Sequence, residues 1–361
     1  METLNKKYFL AANSVAGFYS AFDGCYDPQN GWTAYIIKGG PGTGKSSFLK
    51  FMAVNADNNG LSAELCPCTS DPNSLDGVII PELKTVFLDG TSPHTVEPKY
   101  PGVCENLLDF GKFWNPEMLR KNRKEITELT DENKKLHRTA SGYLAAYGKI
   151  MSDDLKTASA CTDKAHTVDY AFSLCKKNIP VRTGTGIEQK RFIQGVTPLG
   201  VVSYPNTVSG GYENISIISD EYSSVSAIIN EIVRNYALGC GYDVITLRNP
   251  FMPNDIIDHI LIPELSFAVV TENRYMDFDV HTRRVHSRRF VSSNKLHNSR
   301  GRLKFNAKLK KDILLSAASS MAQAKSVHDE LEKYYAEAMD FSALTQFAER
   351  FAEDFFTDRG F

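Results

Sequence analysis

Lys45, Ser46 and Asp89 are of the types, and in the settings, that hold a phosphorylated ligand and its metal. Lys45 and Ser46 fall in Gly39-Gly40-Pro41-Gly42-Thr43-Gly44-Lys45-Ser46-Ser47, which fits G-x-x-x-x-G-K-[ST]. Its glycines let the backbone turn tightly and present N–H groups to an anion. Lys45 places a point charge on the β- and γ-phosphates and Ser46 a hydroxyl on Mg²⁺, while a helix starting at Lys45 aims the positive end of its dipole at the same point. Asp89 ends the apolar run Thr85-Val86-Phe87-Leu88, the form of a strand whose last carboxylate helps hold Mg²⁺. The expected ligand is Mg-ATP. The expected chemistry is hydrolysis by positioning and charge neutralisation. His94 is the candidate for orienting water, since Asp76 and Glu82 recur as Asp258 and Glu264 in a part of the chain that lacks the glycine loop and read better as structural. Arg182, Arg191 and Arg248 are candidates to act across the interface between the two copies of a repeat that the chain carries.

These residues need a scaffold, and the pattern predicts one. Ala34 to Ile37 reads as a strand, Ser46 to Asn55 as a helix, Leu61 to Cys66 as a strand, Ser74 to Ile80 as a short helix closed by Pro81, and Thr85 to Leu88 as a third strand. Alternating strands and helices imply an α/β fold with a parallel sheet, whose ligands sit at the carboxyl ends of the strands.

The chain also repeats itself. Tyr8-Phe9-Leu10-Ala11-Ala12 through Ser20 returns as Arg191-Phe192-Ile193-Gln194-Gly195 through Ser203, and Ile80-Pro81-Glu82-Leu83 returns as Ile262-Pro263-Glu264-Leu265. A period of about 182 residues means two fused copies of one domain rather than a solenoid. The expected domains are 1–182 and 183–361, with the boundary between about Ile179 and Gln189. In the second copy the loop position reads Ser219-Asp220-Glu221-Tyr222-Ser223-Ser224-Val225-Ser226, without glycine or lysine, so phosphate is expected to be repelled. Asp89 is replaced within Ala268-Val269-Val270-Thr271. One competent site per chain is expected.

Each copy ends in a helical appendage. In the first, about 104–175, Leu119, Ile126, Asn133, Ala140 and Tyr147 keep a seven-residue spacing, read as two packed helices. From Lys308 to Phe356 the second copy has its own version, with Tyr335 and Met339 echoing Tyr147 and Met151. Residues 280–311 contain no acid but hold Arg283, Arg284, Arg288, Arg289, Lys295, Arg300, Arg302, Lys304, Lys308, Lys310 and Lys311. That makes them a candidate surface for nucleic-acid phosphates, a phosphorylated substrate or an acidic partner.

Composition narrows the class. The 361 residues are 42% hydrophobic and 23% charged with a net charge of −2, so nothing in the overall charge calls for a polyanion. No apolar run reaches the roughly 18 residues of a membrane span, and no signal segment opens the chain, so a cytoplasmic protein is expected. Cys25, Cys66, Cys68, Cys104, Cys161, Cys175 and Cys240 are an odd number without a framework, which suits reduced thiols.

With GGPGTGKSS, SDPNSLDGVIIPEL, LDGTSPH and a degenerate second copy, the chain resembles a bacterial family of tandem P-loop ATPase-like proteins over nearly its whole length. That resemblance implies ATP binding and supplies no substrate. A small-molecule or nucleotide kinase using the same ATP site, and a nucleotide-gated scaffold that does not hydrolyse, are the alternative readings.

Overall fold

The computed structural model describes residues 6–92 and 95–361. The first copy runs β1 (Ala11–Ser14), β2 (Gly17–Ser20), β3 (Thr33–Lys38), α1 (Lys45–Asn58), β4 (Glu64–Pro67), β5 (Leu75–Ile80), β6 (Thr85–Asp89), β7 (Glu105–Asp109), α2 (Pro116–Lys121), α3 (Arg123–Ser159) and α4 (Lys164–Asn178). The second runs β8 (Glu188–Arg191), β9 (Gln194–Thr197), β10 (Gly200–Ser203), α5 (Asn206–Ser209), β11 (Asn214–Ser219), α6 (Ser226–Gly239), β12 (Val244–Arg248), β13 (Ile257–Ile262), β14 (Phe267–Glu272), β15 (Arg284–His286), α7 (Ser293–Asn298), α8 (Arg300–Ala338) and α9 (Phe341–Thr357). The fold is mixed α/β. Among the described residues, no helix is long and apolar enough to cross a membrane.

The repeat is structural as well as sequential. One sheet has the order β4-β5-β6-β3-β7 and the other β15-β11-β14-β13-β12-β8, so β3 and β11 hold the same place between two parallel neighbours. The Pro-Glu-Leu turns match too, with the following residue, Lys84 or Ser266, at φ 46° or 44°.

Two expectations are corrected. Ser74 to Ile80 does not form a helix. Leu75–Ile80 is the strand β5, buried along its whole length and antiparallel to both β4 and β6. A short apolar run closed by proline is compatible with either element, and the branched Val78, Ile79 and Ile80 fit a strand covered on both faces. The sheet is therefore mixed rather than parallel throughout. The first appendage also differs, because most of it is a single helix of 37 residues, about 55 Å long at 1.5 Å per residue.

The two compact units are not contiguous in sequence. Unit 1 comprises residues 1–11, 20–140 and 318–361, and unit 2 comprises 12–19 and 141–317. The expected division at 182/183 separates the sequence copies, while each compact unit draws on both. In unit 1, α9 from the second copy seals the first sheet: Leu344, Ala352, Phe355 and Phe356 join Phe48, Leu49, Met52, Phe87 and Phe110 in one core. In unit 2, α4 from the first copy does the same, with Ala171, Leu174, Cys175 and Ile179 packed with Ile229, Val233, Ile260 and Val269. All seven cysteines are free, as expected.

Candidate nucleotide site

In unit 1, β3 delivers the chain to the glycine loop at the carboxyl edge of the sheet, and α1 leaves it. Gly42 and Gly44 have φ of 64° and 83°, a region where a side chain costs about 1–2 kcal/mol. Thr43 is buried, and its hydroxyl donates to the Gly40 carbonyl at 2.9 Å. The N-cap of α1 is Gly44, which has no capping side chain, and the first turn contains no acid. Its leading N–H groups are thus left for another acceptor.

Lys45 lies in the first turn of α1. Its ammonium is 3.6 Å from Asp89 Oδ2 and donates to the carbonyls of Gly39 at 3.2 Å and Gly40 at 2.6 Å. Asp89 arrives beside the loop because β6 pairs in parallel with β3, Ile37 opposite Asp89. Its other oxygen accepts from the Thr91 N–H at 2.9 Å and from the Thr91 hydroxyl. Ser46 follows Lys45, and its Oγ accepts from the Leu75 N–H at 2.9 Å, which ties α1 to the start of β5. Lys38, at the end of β3, donates to the carbonyls of Gly90 at 2.9 Å and Val96 at 2.8 Å and pairs with Glu97, pinning the segment that follows Asp89. Gly39, Gly40, Pro41, Gly42, Thr43, Gly44, Lys45, Ser46 and Ser47 form the loop and the helix start, and the sheet brings Asp89 to them. His94 lies outside the described residues. Asp76 is buried at 4% exposure; burial, with the Asp76 charge adding to it, pushes the neighbouring Cys68 thiol well up. Glu82 accepts from the Ser62 N–H at 3.1 Å and from its hydroxyl.

Unit 2 builds the same turn from different residues. Taking β3 onto β11, Gly42 corresponds to Ser223, which holds φ 57° without being glycine. Asp220, at 2% exposure, turns one carboxylate oxygen onto the N–H groups of Val225 at 2.8 Å and Ser226 at 3.0 Å and the Ser226 hydroxyl at 3.3 Å. The start of α6 thus already holds an anion, and it is the protein's own. At the position of Asp89 stands Thr271, fully buried, its N–H given to His259 Nδ1 at 3.0 Å and its hydroxyl to the Asp258 carbonyl at 2.6 Å. Arg182 is bound to Glu264 and to the Gly241 carbonyl, and Arg248 lies 3.7 Å from Glu188. Arg182, Arg191 and Arg248 all belong to unit 2.

Sequence reasoning missed the residues that cover the unit 1 loop. Tyr335 and Glu332 of α8 and Leu344 of α9 lie against Gly40, Gly42 and Gly44. The one signal for them was the echo of Tyr147 by Tyr335. Tyr147 lines a small cavity in unit 2 together with Glu221, Tyr222 and Ser223, so each tyrosine faces the loop of its own unit.

Whether Mg²⁺ suits unit 1 turns on its donor set. No cluster of three or more His, Cys, Asp or Glu that could hold a metal occurs among the described residues. Ser46 and Asp89 supply one hydroxyl and one carboxylate, a set that fits a cation bringing phosphate and water ligands of its own. Comparison with protein-family models, curated proteins and solved structures finds no significant match, so the reading of this site rests on the chain's own residues.

Proposed function

We propose that unit 1 binds a nucleoside triphosphate, expected to be ATP, and hydrolyses it, and that the chain has one such site. The observation that carries this reading is the uncapped start of α1 behind Gly39 to Gly44, with Lys45 and Asp89 paired beside it. The comparison with unit 2 sharpens it. There the equivalent N–H groups are satisfied by buried Asp220, whereas the start of α1 has no capping side chain and no acid in its first turn. In the bound state the loop N–H groups and the Lys45 ammonium take the β- and γ-phosphate oxygens, which requires Lys45 to leave the carbonyls it now holds. Ser46 and Asp89 would hold Mg²⁺, which supplies neutralisation of phosphate charge.

The test is Mg-ATP binding and phosphate release by the full chain. Lys45→Ala is expected to weaken binding at least tenfold, and Asp89→Ala to remove turnover while leaving weaker, less Mg²⁺-dependent binding. Release of phosphate without any acceptor separates the hydrolase from a kinase, and binding without release identifies a scaffold. A wild-type chain that binds no triphosphate refutes the proposal.

The partner proposed for residues 280–311 is a phosphate-bearing polymer. Arg284, Arg302 and Lys310 are spent on Glu272, Asp153 and Asp154. Arg300, Lys304, Lys308 and Lys311 are exposed, and Phe305 among them is 66% exposed, a ring on which an unpaired base can stack. Binding of single-stranded nucleic acid that falls steeply with salt, and that Lys304→Glu with Lys308→Glu removes, is the expected result.

A further inference from the structure

The glycine loop of unit 1 is covered by its own helices. A Cβ placed on Gly40 would lie 2.5 Å from the Tyr335 ring, one on Gly42 2.7 Å from the Glu332 carbonyl oxygen, and one on Gly44 2.7 Å from the Leu344 side chain. The Lys45 and Asp89 side chains keep only 10% and 15% of their exposure. Lys45 is folded back on the carbonyls of Gly39 and Gly40. Phosphates seated against the loop would need the space these helices fill.

Glu332 is the telling residue. Its carboxylate lies 3.4 Å from His328, and the His328 contact, with Gly42's amide adding to it, holds that carboxylate below the ordinary glutamate range. Counting from the matched tyrosines, Tyr147 and Tyr335, the first copy has Leu144 where the second has Glu332. At that position the helix facing the loop that kept its glycines carries an acid and the helix facing the degenerate loop a leucine; the acid that the latter does bring to its loop, Asp154, is paired with Lys310. The covering segment is also fastened at several points. Lys325 pairs with Asp71 at 3.3 Å and Asp329 at 2.6 Å, and the backbone joins Asn115 N–H to the Ala338 carbonyl at 2.7 Å and Asp340 N–H to the Phe113 carbonyl at 2.8 Å.

We infer that residues 325–344, the end of α8 and the start of α9, form a lid whose Glu332 carboxylate competes with phosphate for the glycine loop, so that bound nucleotide and closed lid exclude one another. This rests on reading the loop as a nucleotide site. The space against the loop cannot hold both the phosphates and the helix, so entry of the triphosphate moves Glu332, with its acid, off Gly42 and takes Tyr335 off Gly40. The free energy of nucleotide binding is thereby coupled to the position of α8. A ligand's apparent affinity falls by the fraction of molecules competent to receive it, so weakening the lid strengthens binding.

The experiment uses the full chain with Trp32→Phe, which leaves Trp114 as the sole tryptophan. Its ring lies 5.9 Å from that of Tyr335, so its emission reports lid position. Mg-ATP is titrated into this background and into Glu332→Ala, Glu332→Gln and Lys45→Ala variants of it, following both heat of binding and Trp114 emission. The expected result is a saturable emission change on binding, an affinity about tenfold tighter in both Glu332 variants, as for a lid closed about nine-tenths of the time, and loss of binding in Lys45→Ala. The Gln variant keeps the side chain's size, so a gain there isolates its charge. Binding with unchanged Trp114 emission and unchanged affinity in both Glu332 variants overturns the lid and leaves the nucleotide site standing. Failure of every variant, Glu332→Ala included, to bind Mg-ATP overturns the nucleotide site and the lid with it.

Discussion

Asp220→Ala tests the claim that the second loop carries its own anion. The carboxylate of Asp220 serves the N–H groups of Val225 and Ser226 and the Ser226 hydroxyl through one oxygen and the Tyr222 N–H, at 3.3 Å, through the other. Loss of an N-cap costs about 1–2 kcal/mol. Each buried donor left without an acceptor adds about 1–3 kcal/mol. Relief of a buried charge and entry of water into the space vacated offset part of this, so about 3 kcal/mol of destabilisation is expected. Asp220→Asn keeps the size and one acceptor oxygen, and about 1 kcal/mol is expected for it. Tryptophan emission will not report the change, because Trp32 and Trp114 both fall in unit 1. The assay is urea denaturation followed by circular dichroism, with hydrogen exchange at the first turn of α6. With a slope of about 2 kcal/mol per M, the transition of unit 2 should move down by more than 1 M in the alanine variant, and the Val225 and Ser226 amides should lose protection. An alanine variant within about 0.5 kcal/mol of wild type, with those amides still protected, refutes the argument.

Two further perturbations probe the cores. In unit 2, burial raises the Asp258 pKa from 3.8 to about 7 and lowers that of His259 from 6.5 to about 3. Asp258 therefore contributes stability that is present below pH 3.8 and lost as pH rises to 7, while His259 contributes stability that is present above pH 6.5 and lost as pH falls towards 3. Between about pH 4 and 6.5 the two slopes, each about 1.4 kcal/mol per pH unit, oppose one another. Asp258→Asn should uncover the His259 slope, seen as unit 2 weakening on acidification in denaturation at stepped pH. A variant as flat as wild type contradicts it. In unit 1, Phe355 is buried at 4% exposure with its ring 5.3 Å from Phe87 and 5.7 Å from Tyr35. Phe355→Ala should cost about 3–5 kcal/mol, read as an earlier loss of tryptophan emission on heating.

What the sequence disclosed, and what it withheld, divides along the range of the interactions involved. The loop from Gly39 to Ser47 and the strand ending at Asp89 are local patterns, and the structure places them side by side because β3 and β6 are neighbours. The repeat was legible because Ile-Pro-Glu-Leu builds the same turn twice. The segment from Ser74 to Ile80 was misread because six buried residues carry no period, and only its pairing with β4 and β6 decides between helix and strand. The role of Asp220 was half legible. Its charge argued against phosphate, but only the folded loop shows the carboxylate satisfying the helix start itself.

The exchange of α4 and α9 between the sheets could not be read from the chain at all. Each closing helix presents an apolar face to its core, and the two sheets share a strand pattern around β3 and β11. Propensity is indifferent to which sheet is chosen. What tells the two partners apart is fine packing: α9 brings Phe347, Phe351, Phe355 and Phe356 to a sheet that offers Tyr35 and Phe87, whereas α4 brings Ala171, Leu174 and Cys175 to one lined by Ile and Val. The rings of Phe351 and Phe355 pack on those of Tyr35 and Phe87, while small side chains let α4 approach α6 closely. The same exchange gives the loop its cover. Because α9 closes the first sheet, the end of α8 must run past the glycine loop to reach it, and Glu332 and Tyr335 lie on that path. A helix fixed at one end in the core of unit 1 and laid over the loop is placed to register whether a phosphate is there.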